Sequence, residues 1–328
     1  MRFFLILVVS LLSTISVSAE KYQGPLVDAH SQVRCDVHPS KIINLIEKRN
    51  IQHVILSMGG CTKGEMFYGR RSEQRDRMIK EIKKSSKVSL MTGIKGVKDV
   101  RNEINIGKKN NSVGVSELIV QHAPWNDKKL VFGGVNKKLT DSSITNIINE
   151  IIENSSPVII HIELNDSEDE SRQTLMDLRS ILDSYPKHPF ILIHMGQASP
   201  SELDELISNH SNIYFLTSMT SGFFQIARKK KKLKAQTGWI SFFETDSNNI
   251  RQHKENIVWI KEWQGLVEKY PDRFILAFDN LFFNHHKKRM RALITIWRNA
   301  FGQIDKEVAN KVACINAKEM WSLPVTCN

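Results

Sequence analysis

Three apolar runs in this chain stop at an ionisable side chain: Pro157-Val158-Ile159-Ile160-His161, Phe190-Ile191-Leu192-Ile193-His194 and Phe274-Ile275-Leu276-Ala277-Phe278-Asp279. A fourth, Leu26-Val27-Asp28-Ala29-His30, stops in the same way. One histidine after an apolar run is ordinarily a satisfied core or loop residue, whereas four such ends on neighbouring strands are hard to attribute to packing. Imidazoles with carboxylates are the donor set of zinc and similar divalent ions, and a catalytic ion keeps one position open for water. Glu117 extends the set, because it lies inside Val113-Gly114-Val115-Ser116-Glu117-Leu118-Ile119-Val120, where an unpartnered buried carboxylate is expensive. A metal ion is one partner that offsets this; a lysine or arginine inside the fold is the other. The chemistry these residues suit is hydrolysis, or a related metal-assisted lyase step. An ion held by His30, His161 and Glu117 lowers the pKa of bound water toward ~7. Asp279 is then the general base, and His194 either completes the metal shell or polarises the scissile carbonyl.

Such residues act together only if the elements carrying them converge. Short β-branched runs, most followed by a segment of helical periodicity, place strands at 26–33, 53–58, 88–94, 113–120, 158–164, 190–195, 213–218 and 274–279. Eight strands alternating with helices predict an α/β fold of the (β/α)8 TIM-barrel type, in which strand ends distant in sequence meet at the C-terminal rim. The rival, an open doubly wound sheet, normally has a glycine-rich turn after its first strand, and Asp28-Ala29-His30-Ser31-Gln32 has no glycine. Helices are expected at 41–49, 71–84, 143–154, 170–184, 201–209, 256–270 and 286–301, with Ser199-Pro200-Ser201-Glu202 reading as a capping box. The stretch 220–249 is far longer than an ordinary βα loop. Its Phe223, Phe224, Trp239, Phe242 and Phe243 make it a candidate lid over the mouth between strands 7 and 8. His122, Trp125 and Trp239 are candidate substrate contacts.

Leu26-Val27-Asp28-Ala29-His30, the strand-closing His161 and His194, Pro271-Asp272-Arg273-Phe274 leading to Ala277-Phe278-Asp279, and Asn316-Ala317-Lys318-Glu319-Met320-Trp321 together resemble the amidohydrolase-related barrels. The resemblance spans nearly the whole chain after residue 19. In that superfamily a His-x-His pair on strand 1, a Lys or Glu on strand 4, histidines on strands 5 and 6 and an aspartate on strand 8 bind one or two metals. The resemblance therefore implies a metal site of His30, Glu117, His161, His194 and Asp279. Gln32 stands where the second histidine of the pair belongs, and a neutral amide is a far poorer zinc ligand than imidazole. The superfamily also contains metal-independent lactonases, so hydrolysis without metal, and a barrel that binds a ligand without turning it over, stay open beside the metal-dependent reading.

The first nineteen residues carry Arg2, the apolar run 3–12 and a small, polar stretch ending Val17-Ser18-Ala19, the pattern of a cleavable export signal. Its apolar core is too short for a membrane anchor, which needs ~20 residues. Residues 20–328 are then one amidohydrolase-like barrel domain, without a membrane anchor, periplasmic or secreted. Four cysteines in an exported chain suggest two disulfides; spacing allows three connectivities, of which Cys35–Cys61 and Cys314–Cys327 are favoured over the others. The formal charge of +11 can steer a small anionic substrate toward the protein. The basic runs 228–232 and 285–289 read as solvated faces, and without an aromatic-interleaved stripe they give no reason to expect nucleic-acid binding. The sequence leaves the oligomeric state open, a homo-oligomer included.

Overall fold

A computed structural model of the chain describes residues 20–34, 36–59, 68–95, 97–122, 125–127, 130–132, 134–164, 168–223, 226 and 240–328. Its frame is a set of eight parallel strands: β1 Val27–Val33, β2 His53–Met58, β3 Val88–Met91, β4 Leu118–Ile119, β5 Val158–His161, β6 Phe190–Ile193, β7 Ile213–Leu216 and β8 Phe274–Ile275. Strands β1 to β3 pair in order, as do β4 to β8. Two backbone seams join these sheets into a ring. Beyond β3, Thr92 donates to the Gly114 carbonyl and accepts from the Ser116 amide, both at 2.8 Å, so that Thr92 and Val115 bridge in parallel. Beyond β8, the Ala29 and Gln32 amides donate to the carbonyls of Leu276 and Asn280, and the Asp279 amide donates to the His30 carbonyl at 2.7 Å. The ring runs β1 to β8 and back, which is the expected barrel.

The strands read as nearly continuous apolar runs because both faces are covered, as parallel sheets require. Outward residues such as Leu26, Val54, Leu56, Leu90, Ile160, Leu192 and Phe215 pack into the layer beneath the helices. Inward residues Val27, Ala29, Ile55, Met91, Ile159, Ile191, Leu216 and Ile275 form a second core along the axis. The helices that follow the strands, one behind each, are α1 Pro39–Glu47, α2 Tyr68–Ile82, α3 Val100–Lys109, α4 Ser142–Glu153, α5 Glu168–Ser184, α6 Pro200–Asn209, α7 Lys261–Lys269 and α8 Met290–Phe301; short helices at Ile250–His253, Lys306–Asn310 and Asn316–Trp321 stand outside this alternation. Helix α6 opens on the expected capping box: Ser199 Oγ accepts from the Glu202 amide, and the Glu202 carboxylate accepts from the Ser199 amide. The C-terminal tail folds under the barrel, where Trp321, Leu323, Val325 and the Cys314–Cys327 disulfide pack against the inward residues. Cys35 and Cys61 lie outside the described residues. No helix among those described is long and apolar enough to cross a membrane.

Several expectations are corrected. Phe242 and Phe243 are not a lid over the mouth: both are buried among Trp259, Trp263, Trp297 and Phe274, because the apolar area of clustered aromatics is best removed from water between sheet and helices. The helix expected at 256–270 starts only at Lys261, since Val258–Trp259 pairs as an antiparallel strand with Phe243–Glu244. The run 285–289 is not wholly a solvated face. It forms a π-helical turn, His285–Arg289, that buries His286 and Arg289. Helix α3, capped by Asp99, was not anticipated. Phe224, Trp239 and the basic run 228–232 lie outside the described residues, as does the side chain of Trp125.

Candidate active site

The site begins with an irregularity in β1. Its pairing with β2 shifts register between Asp28 and Ser31, a one-residue bulge that reverses the phase of the strand. Below the bulge Val27 and Ala29 face the axis; above it His30 and Gln32 do. Buried Asp28 holds the bulge, accepting from Ser31 Oγ at 2.5 Å and from the amides of Phe278 and His30 at 2.9 and 3.2 Å. Burial pushes the Asp28 carboxyl up to about 7 against the pull of those hydrogen bonds.

Two further residues are aimed by backbone conformations that L-residues seldom adopt. His194, directly after β6, has φ 55°, and Asp279, after β8, has φ 49°. Each left-handed residue costs on the order of 1 kcal/mol or more, and such strain clusters at functional sites. At His194 the turn swings in a ring that strand alternation would send outward. Arg289 steadies the other turn, donating to the carbonyl oxygens of Phe278 at 2.5 Å and Asp279 at 3.4 Å. Burial drives its guanidinium down to about 9 against the attraction of Asp279 and Asp28.

The side chains expected at the rim meet there. His30 Nδ1 is 3.6 Å from Asp279 Oδ1, and His194 Nε2 is 3.8 Å from Asp279 Oδ2. Glu117 Oε2 is 3.1 Å from His161 Nδ1, and the His161 and His194 rings lie 5.0 Å apart, edge to face. The Gln32 amide bridges the two halves, donating to Glu117 Oε1 at 3.0 Å and Asp279 Oδ1 at 3.2 Å. His122 also reaches the cluster. It stands on a ribbon in which Gln121–His122 pairs antiparallel with Val135–Asn136, and its ring lies 4.7 Å from that of His161.

Sequence reasoning missed Glu163, which is buried with Oε1 3.5 Å from His161 Nε2 and 3.8 Å from His122 Nδ1. The signal was present, because an extended strand carrying His161 inward also carries the residue two positions on. Ser218 was missed too: its hydroxyl and carbonyl contact His194 Nδ1 at 2.8 and 3.2 Å, which turns Nε2 toward Asp279.

The electrostatics of the rim are those of buried carboxylates among histidines. Burial alone would raise the Glu117 carboxyl, but the His161 hydrogen bond and the charges of Lys95, His161 and His30 hold it well below the carboxylate range. His161 sits between Glu117 and Glu163; burial disfavours its charged form, yet those two hydrogen bonds outweigh it and raise the ring to about 9. Burial and the neighbouring His161 push His194 down to about 3. Asp279 is held below its ordinary value because His30, His194 and Arg289 together outweigh burial and the repulsion of Glu117.

The donor set fits a divalent cation. Both ring nitrogens of His30 are buried without a hydrogen-bond partner, Nδ1 lying 3.6 Å from Asp279 Oδ1. Glu117 and Glu163, both buried, and the partly buried Asp279 bring three carboxylates to one pocket, and charge of one sign removed from water calls for a counter-charge. The donor atoms of His122, His161 and Glu163 all lie within 4.8 Å of one another.

Neither a family model nor any curated protein sequence matches the chain. Its fold is similar to that of several solved hydrolases. A probable 2-pyrone-4,6-dicarboxylic acid hydrolase from Acinetobacter baumannii, solved with citric acid bound, superposes with TM-score 0.52 at 14% identity, over 90% of this chain and 99% of that one. An amidohydrolase from Burkholderia multivorans with bound HEPES gives 0.53 at 10% identity, over 92% and 100%. The D-hydantoinase (dihydropyrimidinase) of a Thermus species gives 0.52 at 8%, over 91% and 70%. At these identities the likeness establishes the fold alone, a TIM barrel.

Proposed function

We propose that this protein is an exported, metal-dependent hydrolase acting on a small anionic substrate with an ester, lactone or amide bond, decarboxylation being the related lyase chemistry. The observation that carries the reading is the convergence of His30, Glu117, His161, His194 and Asp279, from five separate strands and the residues adjoining them, into one cluster. Active sites on this fold lie at that rim. Zinc is the first expectation for histidine and carboxylate donors, and such an ion supplies Lewis acidity and water activation. Among the chain's own groups, Asp279 is ionised and stands 3.8 Å from His194 Nε2, so it can take a proton from water and return it to a leaving group. Ser218 keeps the His194 ring facing that proton path. His122 and the ribbon that carries it border the substrate's approach. The net charge of +11 and the influence of Lys95 on Glu117 favour an anion, in line with the citrate and HEPES held by two structural neighbours. Export is supported by the N-terminal pattern of Arg2, apolar core and Val17-Ser18-Ala19, and by the Cys314–Cys327 disulfide, since such bonds persist in oxidising compartments.

Full-length protein supplied with zinc and screened against ester, lactone and amide panels should show turnover that falls roughly 10²–10⁴-fold in Asp279→Asn. A folded Asp279→Asn enzyme of unchanged rate, or a wild type inert on every panel, overturns the assignment. Mass spectrometry of the protein recovered outside the cytoplasm should give a chain starting at Glu20. Hydrolysis without metal is the second reading, favoured by the Gln32 amide lying between Glu117 and Asp279. Turnover that survives exhaustive chelation selects it.

A further inference from the structure

The metal reading of this rim, on which the following rests, leaves open where the ion sits. We infer that it sits away from the strand 1 histidine position, between His122, His161 and Glu163, and that the Gln32 side chain permanently fills the gap between Glu117 and Asp279 with a neutral donor in place of a cation.

Gln32 comes first. Both protons of its amide nitrogen are directed at carboxylates, Glu117 Oε1 at 3.0 Å and Asp279 Oδ1 at 3.2 Å. A cation bound between those oxygens must displace the amide. Turning the side chain to offer its oxygen as a ligand breaks both hydrogen bonds and points the amide protons toward Gly59, beside which the oxygen now lies. Two charge-assisted bonds hold the present orientation, and an amide is in any case a poor zinc ligand.

Glu117 supplies the second argument. Its Oε2 engages His161 Nδ1 at 3.1 Å, so the ring presents Nε2 in the opposite direction, where Glu163 Oε1 lies at 3.5 Å. A carboxylate on one imidazole nitrogen with an ion on the other is the usual outer support of a metal-ligating histidine. Glu117 is therefore a positioning residue for His161, and Nε2 is the ligand atom. His122 Nδ1, 3.8 Å from the same Glu163 oxygen, completes three donors. Tetrahedral bonds of ~2.1 Å hold ligand atoms about 3.4 Å apart; the two separations from Glu163 are 3.5 and 3.8 Å and all three donors lie within 4.8 Å, so binding an ion draws the two histidines toward each other. His122 is half-buried, so an ion held there would lie within reach of water as a fourth ligand.

The test reads metal content and therefore does not depend on knowing the substrate. Full-length wild type, His122→Asn, Glu163→Gln, His30→Ala and Gln32→His proteins are dialysed against zinc alone, with bound zinc measured by mass spectrometry and folding checked by thermal melts. Cobalt uptake, followed by its visible absorption, gives a second readout. Wild type should hold one ion. His122→Asn, on the half-buried ribbon and so the variant least able to disturb the fold, should bind at least 10-fold more weakly, as should Glu163→Gln. His30→Ala should still hold its ion, and Gln32→His should admit a second. If His30→Ala loses the ion while His122→Asn keeps it, the ion is at the strand 1 position, and the placement fails with the hydrolase assignment intact. If wild type takes up no metal, the placement fails, and the substrate panels decide separately whether hydrolysis proceeds without it.

Discussion

The histidines of this chain illustrate how one residue type divides between chemistry and packing. His30, His161 and His194 face carboxylates at the rim, whereas His53 starts β2 at the opposite end, buried, with Nε2 2.8 Å from Ser89 Oγ. Burial pushes His53 down to about 4, a hydrogen bond with the Ser86 backbone only partly opposing it. The unfolded chain, with an ordinary histidine near 6.5, then takes up the proton first. Stability is complete above the unfolded value and is lost as pH falls from about 6.5 toward 4. Chemical denaturation at pH 7 and pH 4.5 should show a loss of ~2–3 kcal/mol from this residue, removed in His53→Gln. An unchanged pH slope in that variant excludes His53 as the cause. At the rim, types and spacing were enough to name five side chains that the fold brings together, His30, Glu117, His161, His194 and Asp279, because each ends or interrupts an apolar run. The role of Gln32 was not readable: it depends on where two carboxylates distant in sequence, Glu117 and Asp279, place their oxygens. Glu163 was readable by strand alternation from His161 and was passed over inside an apolar run.

Elements were more legible than the joints between them. All eight strands and seven of the helices follow from alternating apolar runs and helical periods, since the barrel buries each strand on both faces and each helix on one. The bulge in β1 could not be foreseen, because it is held by Asp28 accepting from Phe278, 250 positions away. The π-helical turn ahead of α8 was hidden for a similar reason. Its purpose is a contact, Arg289 reaching the carbonyls at the end of β8, while its sequence reads as surface charge. That contact makes a prediction about β8. Arg289→Met leaves the Phe278 and Asp279 carbonyls with one donor fewer and frees a strained turn. Removing one member of such a buried charged network costs about 3 kcal/mol. Thermal melts should show the destabilisation, and the variant's rate on any substrate found should fall although Arg289 itself is set back behind Asp279. A variant with wild-type stability and rate would mean that the turn at Asp279 holds itself.

At the scale of the whole molecule, the rim and the base of the barrel are separate structures. The base is closed by the tail, whose Trp321, Leu323 and Val325 extend the axial core formed by Val27, Ile159, Ile191 and Ile275. Asn310 anchors the tail by donating to the Cys327 carbonyl at 2.7 Å, and the Leu276 amide donates to the Val312 carbonyl, tying β8 to the same region. The Cys314–Cys327 bond spans a sequence separation of 13. Closing a loop of that size removes unfolded-chain entropy corresponding to about 3 kcal/mol. Cys314→Ser with Cys327→Ser should therefore lower the denaturation midpoint by an amount of that order, and reduction of the wild type should match it. Because the tail packs at the base, away from His161 and Asp279, the folded double variant should keep the wild-type rate at low temperature. Lost activity in a variant that is still folded would mean that the base and the rim are mechanically coupled through the axial core.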